Sequence, residues 1–273
     1  MRRATPRQEE IQMKYLRLMK EFLRAAVVEE MEYRSNFFAN VLSTVSGLFV
    51  SLLTLQVFFN QTQAIGGWSF EQVLVLLGIF NALDGVVKMV LRPNIGRIVQ
   101  HIRKGTLDLI LTKPVDSQFY VSFRHILFWP ITDVLMGLGL VVYAAVKMNL
   151  AFTASHLLWF ALMFLAALVT LYGIWMVLMT MSFWFVKVEN LTFLFTSLFE
   201  TARFPVQVYK GILRALLTYV FPVAVLTTFP AAGLIGKLTW TDAVISFIIA
   251  IVIVFVARWF WKQALRNYTS ASS

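Results

Sequence analysis

The run TDAVISFIIAIVIVFVARWFW, residues 241–261, has no ionisable side chain between Asp242 and Arg258. Crossing the hydrocarbon core of a bilayer takes about 20 mostly apolar residues in helical form. Four further runs of that kind occupy residues 36–59, 70–91, 119–146 and 156–186. In lipid no water satisfies free peptide groups, so such segments fold as helices with internal hydrogen bonds. Composition agrees: 59% of the 273 residues are hydrophobic and 14% charged, against about 45–50% and about 25% in soluble domains. The sequence therefore predicts an all-α integral membrane protein.

Several kinds of chemistry have no residues to carry them. The chain has no cysteine, which removes disulfides, iron–sulfur clusters and thiol catalysis. His101, His125 and His156 have no ligand-like spacing. No Gly-x-x-x-x-Gly-Lys-Ser/Thr loop occurs; the nearest text, GLIGKL from Gly233, has the wrong spacing. His-Glu-x-x-His, Gly-x-Ser-x-Gly and runs of inward carboxylates are missing as well. No catalytic, cofactor-binding or metal-binding residue is predicted. The basic start, MRRATPRQEEIQMKYLRLMKEF, has no adjacent apolar core or cleavage site and is not expected to be a cleaved signal peptide.

Topology accounts for the net charge of +10 without a nucleic-acid partner. Eight Lys/Arg lie in the first 34 residues, and Arg92, Arg97, Arg103, Lys104 and Lys113 lie in residues 92–118. Residues 60–69 hold none, and the connection between the third and fourth runs holds only Lys147. Basic loops stay in the cytoplasm, so both termini and residues 92–118 are expected there. Ser69-Phe-Glu-Gln72 and Thr239-Trp-Thr-Asp242 fit capping boxes and would open the second and last spans from the outer side.

Residues 189–238 divide less cleanly. The stretch 190–205 is short and holds Glu200 and Arg203, whereas 216–236 is more apolar but interrupted by Pro222, Pro230, Gly233 and Gly236. Seven crossings would put Arg258, Lys262 and Arg266 outside, against the positive-inside bias; six keep them inside. One of the two stretches then crosses and the other dips in and returns. Hydropathy alone favours the second as the crossing one.

Ahead of the first span, Ile11, Tyr15, Leu18, Phe22 and Ala25/Ala26 share one side of a helix over residues 11–33. This reads as an amphipathic helix lying on the inner leaflet or packed on other protein. Asp84 and Lys88 stand one turn apart roughly 20 Å into the second span. They read as an i,i+4 ion pair or as a polar anchor facing the pathway or a subunit seam. Asp133 follows Trp129-Pro130, where proline bends a helix and frees a carbonyl. Glu200 and Arg203 are spaced to neutralise one another.

Four pieces then combine: EEMEYRSNFF at 29–38, HIRKGTLDLILTKPVD at 101–116, RFPVQVYKGILRALLTYVFPVAVLTTFPA at 203–231 and FWKQALRNYTSAS at 260–272. Together they resemble the membrane subunit of a type-two ABC exporter. Within that class they resemble the bacterial subfamily with a Gly-Thr-Leu-Asp inner loop and an aromatic-Trp-x-x-x-Leu-x-x-Tyr-x-Ser tail. The resemblance runs from about Tyr15 to the end. It implies a cytoplasmic tail and interfacial helix over 1–35, a six-span permease over 36–261 and a cytoplasmic tail over 262–273. The permease would sit in the bacterial inner membrane, hold no cofactor of its own, and work with ABC ATPase subunits that carry ATP and Mg. A second copy or a sister permease, and membrane lipids, complete the implied partners.

The resemblance further implies that residues 92–118 carry a coupling helix. Its ATPase-facing side would be Ile98, Val99, Ile102, Leu107, Ile110 and Leu111, in a segment that holds Gly105 and is bracketed by Pro93 and Pro114. Without the resemblance, the same segment reads equally well as a leaflet surface holding Arg97, Arg103 and Lys104 on anionic lipid. By the same resemblance, 190–204 crosses and 205–236 forms a re-entrant outer gate with Pro205, Gly211, Pro222 and Pro230. That reverses the hydropathy choice and leaves Lys210 and Arg214 outside. The implied activity is ATP-driven outward movement of an amphiphile: a lipid, glycolipid, polysaccharide or drug-like molecule. The alternatives are a carrier or channel that uses no ATP, and a membrane scaffold that recruits a soluble partner through the inner loop.

Overall fold

The computed structural model describes residues 6–31, 34–150, 153–185 and 189–268. Among them the regular elements are helices, with one isolated bridge between Ile65 and Trp68. Helix α1 (Pro6–Met31) precedes α2 (Arg34–Phe59) and a long α3 (Phe70–Arg103). Then come α4 (Asp108–Leu111), α5 (Ser117–Phe123), α6 (Ile131–Lys147) and α7 (Ala154–Phe183). The chain ends with α8 (Glu189–Glu200), α9 (Gly211–Val220), α10 (Ala224–Leu234) and α11 (Trp240–Arg266).

Among the described residues four helices, α2, α3, α7 and α11, are long and apolar enough to cross a membrane, and α9 with α10 make a fifth if taken as one bent span. The expected count of six is not reached on length and composition. The 17 residues of α6 and the 12 of α8 rise only about 25 and 18 Å, against a core of about 30 Å.

The centre of the bundle is α3, where ten of the eleven residues from Val73 to Leu83 are buried. A helix that is apolar all round belongs in a core. It lies against α6 through glycines. A Cβ built on Gly137 would stand 2.5 Å from both the carbonyl oxygen of Gly78 and the amide nitrogen of Ala82. On Gly85, the same atom would meet Val134 and Asp133 at 2.7–3.0 Å. In lipid, close backbone approach supplies the van der Waals contact that the hydrophobic effect does not. On the other side of the bundle, α7 packs on α11, with Gly173 against Ile253, and on α10, with Gly233 against Trp159 and Phe160.

The third run is not one helix. Residues 124–130 separate α5 from α6, and Pro130 stands at the start of α6 instead of bending a continuous span. The opened backbone finds its partners on α3. Pro93 has no N–H to offer the carbonyl of Met89, four residues back. The helix accommodates it with a π turn over Val87–Leu91, and the Met89 carbonyl accepts from the Leu127 N–H at 2.9 Å. Asn94, 1% exposed, donates to the carbonyls of Val90 and His125 at 2.6 and 2.7 Å and accepts from the His125 N–H at 3.1 Å. Irregular backbone at membrane depth persists only where protein or water satisfies it. The expected role of Pro93 as one bracket of a separate loop helix is therefore corrected: Pro93 lies inside α3, which runs on to Arg103.

The stripe on α1 faces protein. Tyr15 packs edge-on against Phe119 at 4.9 Å between ring centroids, and the buried Phe22 packs against Tyr120 at 5.5 Å. Leu16, Leu23, Val27 and Val28 of the same helix are exposed. The Ile11 side chain and the tail motif from Thr269 onward lie outside the described residues.

Candidate functional site

Between α3 and α5 runs a connector built from two turns around α4. Gly105 makes the first turn with φ +66°, a left-handed conformation that glycine adopts without a Cβ clash. His101 Nδ1 and Thr106 Oγ1, 2.8 Å apart, close it. The second turn ends at Asp116, which caps α5 by accepting from the Phe119 N–H at 3.0 Å. The carboxylate also receives both terminal nitrogens of Arg258 on α11, Nη1 to Oδ1 at 3.1 Å and Nη2 to Oδ2 at 2.5 Å. Arg258 Nη1 reaches Gln118 Oε1 at 2.8 Å as well, and Trp261 Nε1 donates to Ser117 Oγ at 3.2 Å. From the other side, the Asp116 N–H donates to the Tyr15 hydroxyl at 3.1 Å, and Lys14 Nζ donates to the Pro114 carbonyl. Burial alone would raise the Asp116 pKa. The hydrogen bonds from Arg258 and the Phe119 N–H outweigh it and hold the carboxyl below its ordinary value.

The surface that the connector offers differs from the expected one. Ile98, Leu107 and Ile110 are interior, at 1%, 0% and 6% exposure. Val99, Ile102 and Gly105 are half-buried. Of the six residues of the expected side only Leu111 is exposed, as is the bracketing Pro114. The correction has a simple cause: the apolar side of this amphipathic stretch is used up inside the chain, because the turn at Gly105 folds α4 back toward α5. What projects is Leu109, 67% exposed, with Leu111, Thr112, Lys113 and Pro114.

The intramembrane polar residues form two groups. Lys88 Nζ lies 2.7 Å from Asp84 Oδ2 and 3.4 Å from Asp133 Oδ2. Thr44 of α2 donates to Asp133 Oδ1 at 2.7 Å. One ammonium thus serves two carboxylates drawn from α3 and α6. Glu200 and Arg203 form the second pair. Arg203 also donates to Ser51 Oγ of α2 at 2.8 Å, and its guanidinium lies 4.7 Å from the centroid of the buried Phe80 ring. Among the described residues, no group of three or more His, Asp or Glu side chains is placed to hold a metal ion.

At the opposite end of the bundle, both capping boxes form, Ser69 with Gln72 and Thr239 with Asp242. Pro205, Pro222 and Pro230 are buried, while Gly211 is exposed with φ +57° where α9 begins. Helices α9 and α10 meet at 70° around Pro222. Both ends of residues 205–237 meet the same loop. Gly66 stands against the backbone of Gln207 and Val208, a Cβ there lying 3.1 Å away. Lys237 Nζ donates to the Gly67 carbonyl at 3.2 Å and to Gln72 Oε1 at 2.7 Å.

Sequence reasoning misses Asn94, Thr44 and the partnership of Arg258 with Asp116. A Pro-Asn pair directly after an apolar run is the available signal for Asn94; nothing local marks the other two. Residues 45–272 match the family model described as ABC-2 family transporter protein. A search of curated proteins finds no match to the chain.

Proposed function

The chain belongs to the ABC-2 family of transporter proteins, and from that premise we propose that it is the permease of an exporter in the bacterial inner membrane. It moves an amphiphile outward on ATP hydrolysed by separate subunits. The permease is the membrane component and not the catalyst; ATP and Mg belong to the ATPase. The termini and the connector face the cytoplasm, where basic residues accumulate. A second copy or a sister permease completes the pathway, and alternating access follows the rocking of the two against each other.

The observation that carries this reading is the double anchoring of the connector. At one end it continues from α3, a single helix of 34 residues. At the other, Asp116 is held by Arg258 of α11. A push on the exposed Leu109, Leu111 and Pro114 therefore reaches two spans as rigid-body displacement. These three residues are the contact with the ATPase. Six crossings are made by α2, α3, α6, α7, α8 with the turn Thr201–Arg203, and α11, while 205–236 dips in from outside. The meeting of both ends of that segment with the loop 60–69 supports the dip.

Co-purification of the chain with ABC ATPase subunits from the same cell tests the assignment. Leu109→Asp with Leu111→Asp, both at exposed positions, is expected to abolish assembly while leaving membrane insertion intact. Normal assembly of that variant would refute the contact, and failure of any ATPase to bind the unmodified chain would refute the exporter.

A further inference from the structure

A small cleft with room of about 20 Å³, partly open to the surroundings, lies between the end of α3, Ile110 of α4, and α5 with the start of the opened stretch. Arg97, His101, Arg124 and His125 line it together with Asn94 and Tyr120, and among the described residues no carboxylate does. Arg97 Nη1 is 3.3 Å from His125 Nε2, which makes the ring an acceptor. The carboxylate beside Arg97 is the exposed Glu29, 3.8 Å from Nη2. Arg124 rests over the Phe22 ring at 5.3 Å and bonds to the Tyr120 hydroxyl. Neither of those contacts neutralises it.

Two guanidinium groups beside one partly desolvated concavity repel one another unless an anion shares the space, while the neutral imidazoles add no charge of their own. The planar guanidinium fork matches phosphate oxygens in pairs. The room admits a single oxygen of such a group, and the rest of the phosphate and of the ligand stays at the mouth. On that side lies α1, with Phe22 against Arg124, Glu29 against Arg97, and Leu23, Val27 and Val28 exposed and apolar. An anion site beside an uncovered apolar strip on an interfacial helix suits a molecule that carries both.

We propose that this cleft binds the phosphate of an anionic membrane phospholipid, with Arg97 and Arg124 holding its oxygens and its acyl chains over Leu23, Val27 and Val28. Occupancy bridges α3, α1 and the opened stretch 124–130, and so stiffens the root of the connector. The site stands independently of the ATPase assignment.

The test uses the purified full chain in neutral detergent, titrated with phosphatidylglycerol, with phosphatidylcholine of equal chain length, or with inorganic phosphate. Native mass spectrometry and the thermal unfolding midpoint are the readouts. Phosphatidylglycerol is expected to stay bound and raise the midpoint, and phosphatidylcholine is not. Arg97→Gln with Arg124→Gln should weaken phosphatidylglycerol binding on the order of tenfold or more. Lys104→Gln with Lys262→Gln removes equal charge outside the cleft and should leave binding unchanged. Equal binding of phosphatidylcholine, or equal loss in the control pair, overturns the site. Protection by inorganic phosphate with nothing further from phosphatidylglycerol overturns the lipid assignment. If the double Gln variant does not fold, Arg97→Gln and Arg124→Gln are read singly, each expected to weaken binding several-fold; full affinity in both overturns the proposal.

Discussion

Arg258 and Asp116, 142 positions apart, meet through two nitrogens and two oxygens, at 3.1 and 2.5 Å. The contact locks the last helix to the cap of α5. Both side chains are partly exposed, so screening limits the ion pair to about 1 kcal/mol, and asparagine keeps the helix cap. Asp116→Asn is therefore expected to lower stability by about 1 kcal/mol near neutral pH. Because the folded-state carboxyl sits below its ordinary value, its contribution is complete above the unfolded pKa of about 4 and fades as pH falls through the lower folded value. Unfolding in detergent across a pH series checks this: the gap between the unmodified chain and Asp116→Asn should hold from about pH 5 to 8 and close below about pH 4.

Lys88 is the shared counter-charge of Asp84 and Asp133. Removing it leaves two carboxylates facing each other at membrane depth, and breaking a buried pair from one side typically costs about 3–5 kcal/mol. Lys88 is not fully buried, so Lys88→Met is expected at the lower end, about 3 kcal/mol. Lys88→Met combined with Asp133→Asn should recover part of that loss, because one of the opposed charges has gone. Thermal unfolding of the three variants decides it. A double variant as unstable as the sum of its parts would show that the three residues do not act as one group.

Asn94 stands in for the helical bonds that residues 124–130 give up, joined to both the N–H and the carbonyl of His125. Asn94→Ala would strand these groups at a cost of about 2–4 kcal/mol. Hydrogen exchange is expected to speed up at His125 and Leu127 before it does in α5 and α6. Pro93→Ala loosens the same stretch by another route. It returns an N–H to α3 that can bond to the Met89 carbonyl, in competition with Leu127. Uniform exchange across α5 and α6 in Asn94→Ala would mean that the opened stretch is held by other contacts.

The features legible in the sequence are those whose physics is local. Both capping boxes and the Asp84–Lys88 and Glu200–Arg203 pairs depend on residues three or four apart, and a helix fixes that geometry wherever it goes. Asp133 could be flagged as a buried charge, but its partner comes from another helix, brought close only because Gly85 lets α6 approach. The connector shows the limit most clearly. Amphipathic spacing over residues 98–111 says that one side is apolar. It does not say whether that side meets the chain's own interior or a partner, and for Ile98, Leu107 and Ile110 it is the interior. In the same way, Trp129-Pro130 announces a disturbed helix, while the extent of the opening depends on Asn94, which bonds His125 from 31 positions away.

The dip of residues 205–236 makes a sidedness prediction that hydropathy opposes. With no cysteine in the chain, a single introduced thiol reports its own position without background. Lys210→Cys sits at an exposed site just before α9, and Lys237→Cys follows α10 at the other end of the segment. If 205–236 enters and leaves on one side, a membrane-impermeant maleimide labels both from the periplasmic side of intact spheroplasts, while Lys104→Cys on the connector reacts only after permeabilisation. If the bent pair of α9 and α10 crosses instead, Lys210→Cys and Lys237→Cys lie on opposite sides, and only one of them labels before permeabilisation. The contact of Lys237 with Gly67 and Gln72, beside the packing of Gly66 on Gln207 and Val208, favours the first pattern: two positions that meet one short loop share that loop's side of the membrane.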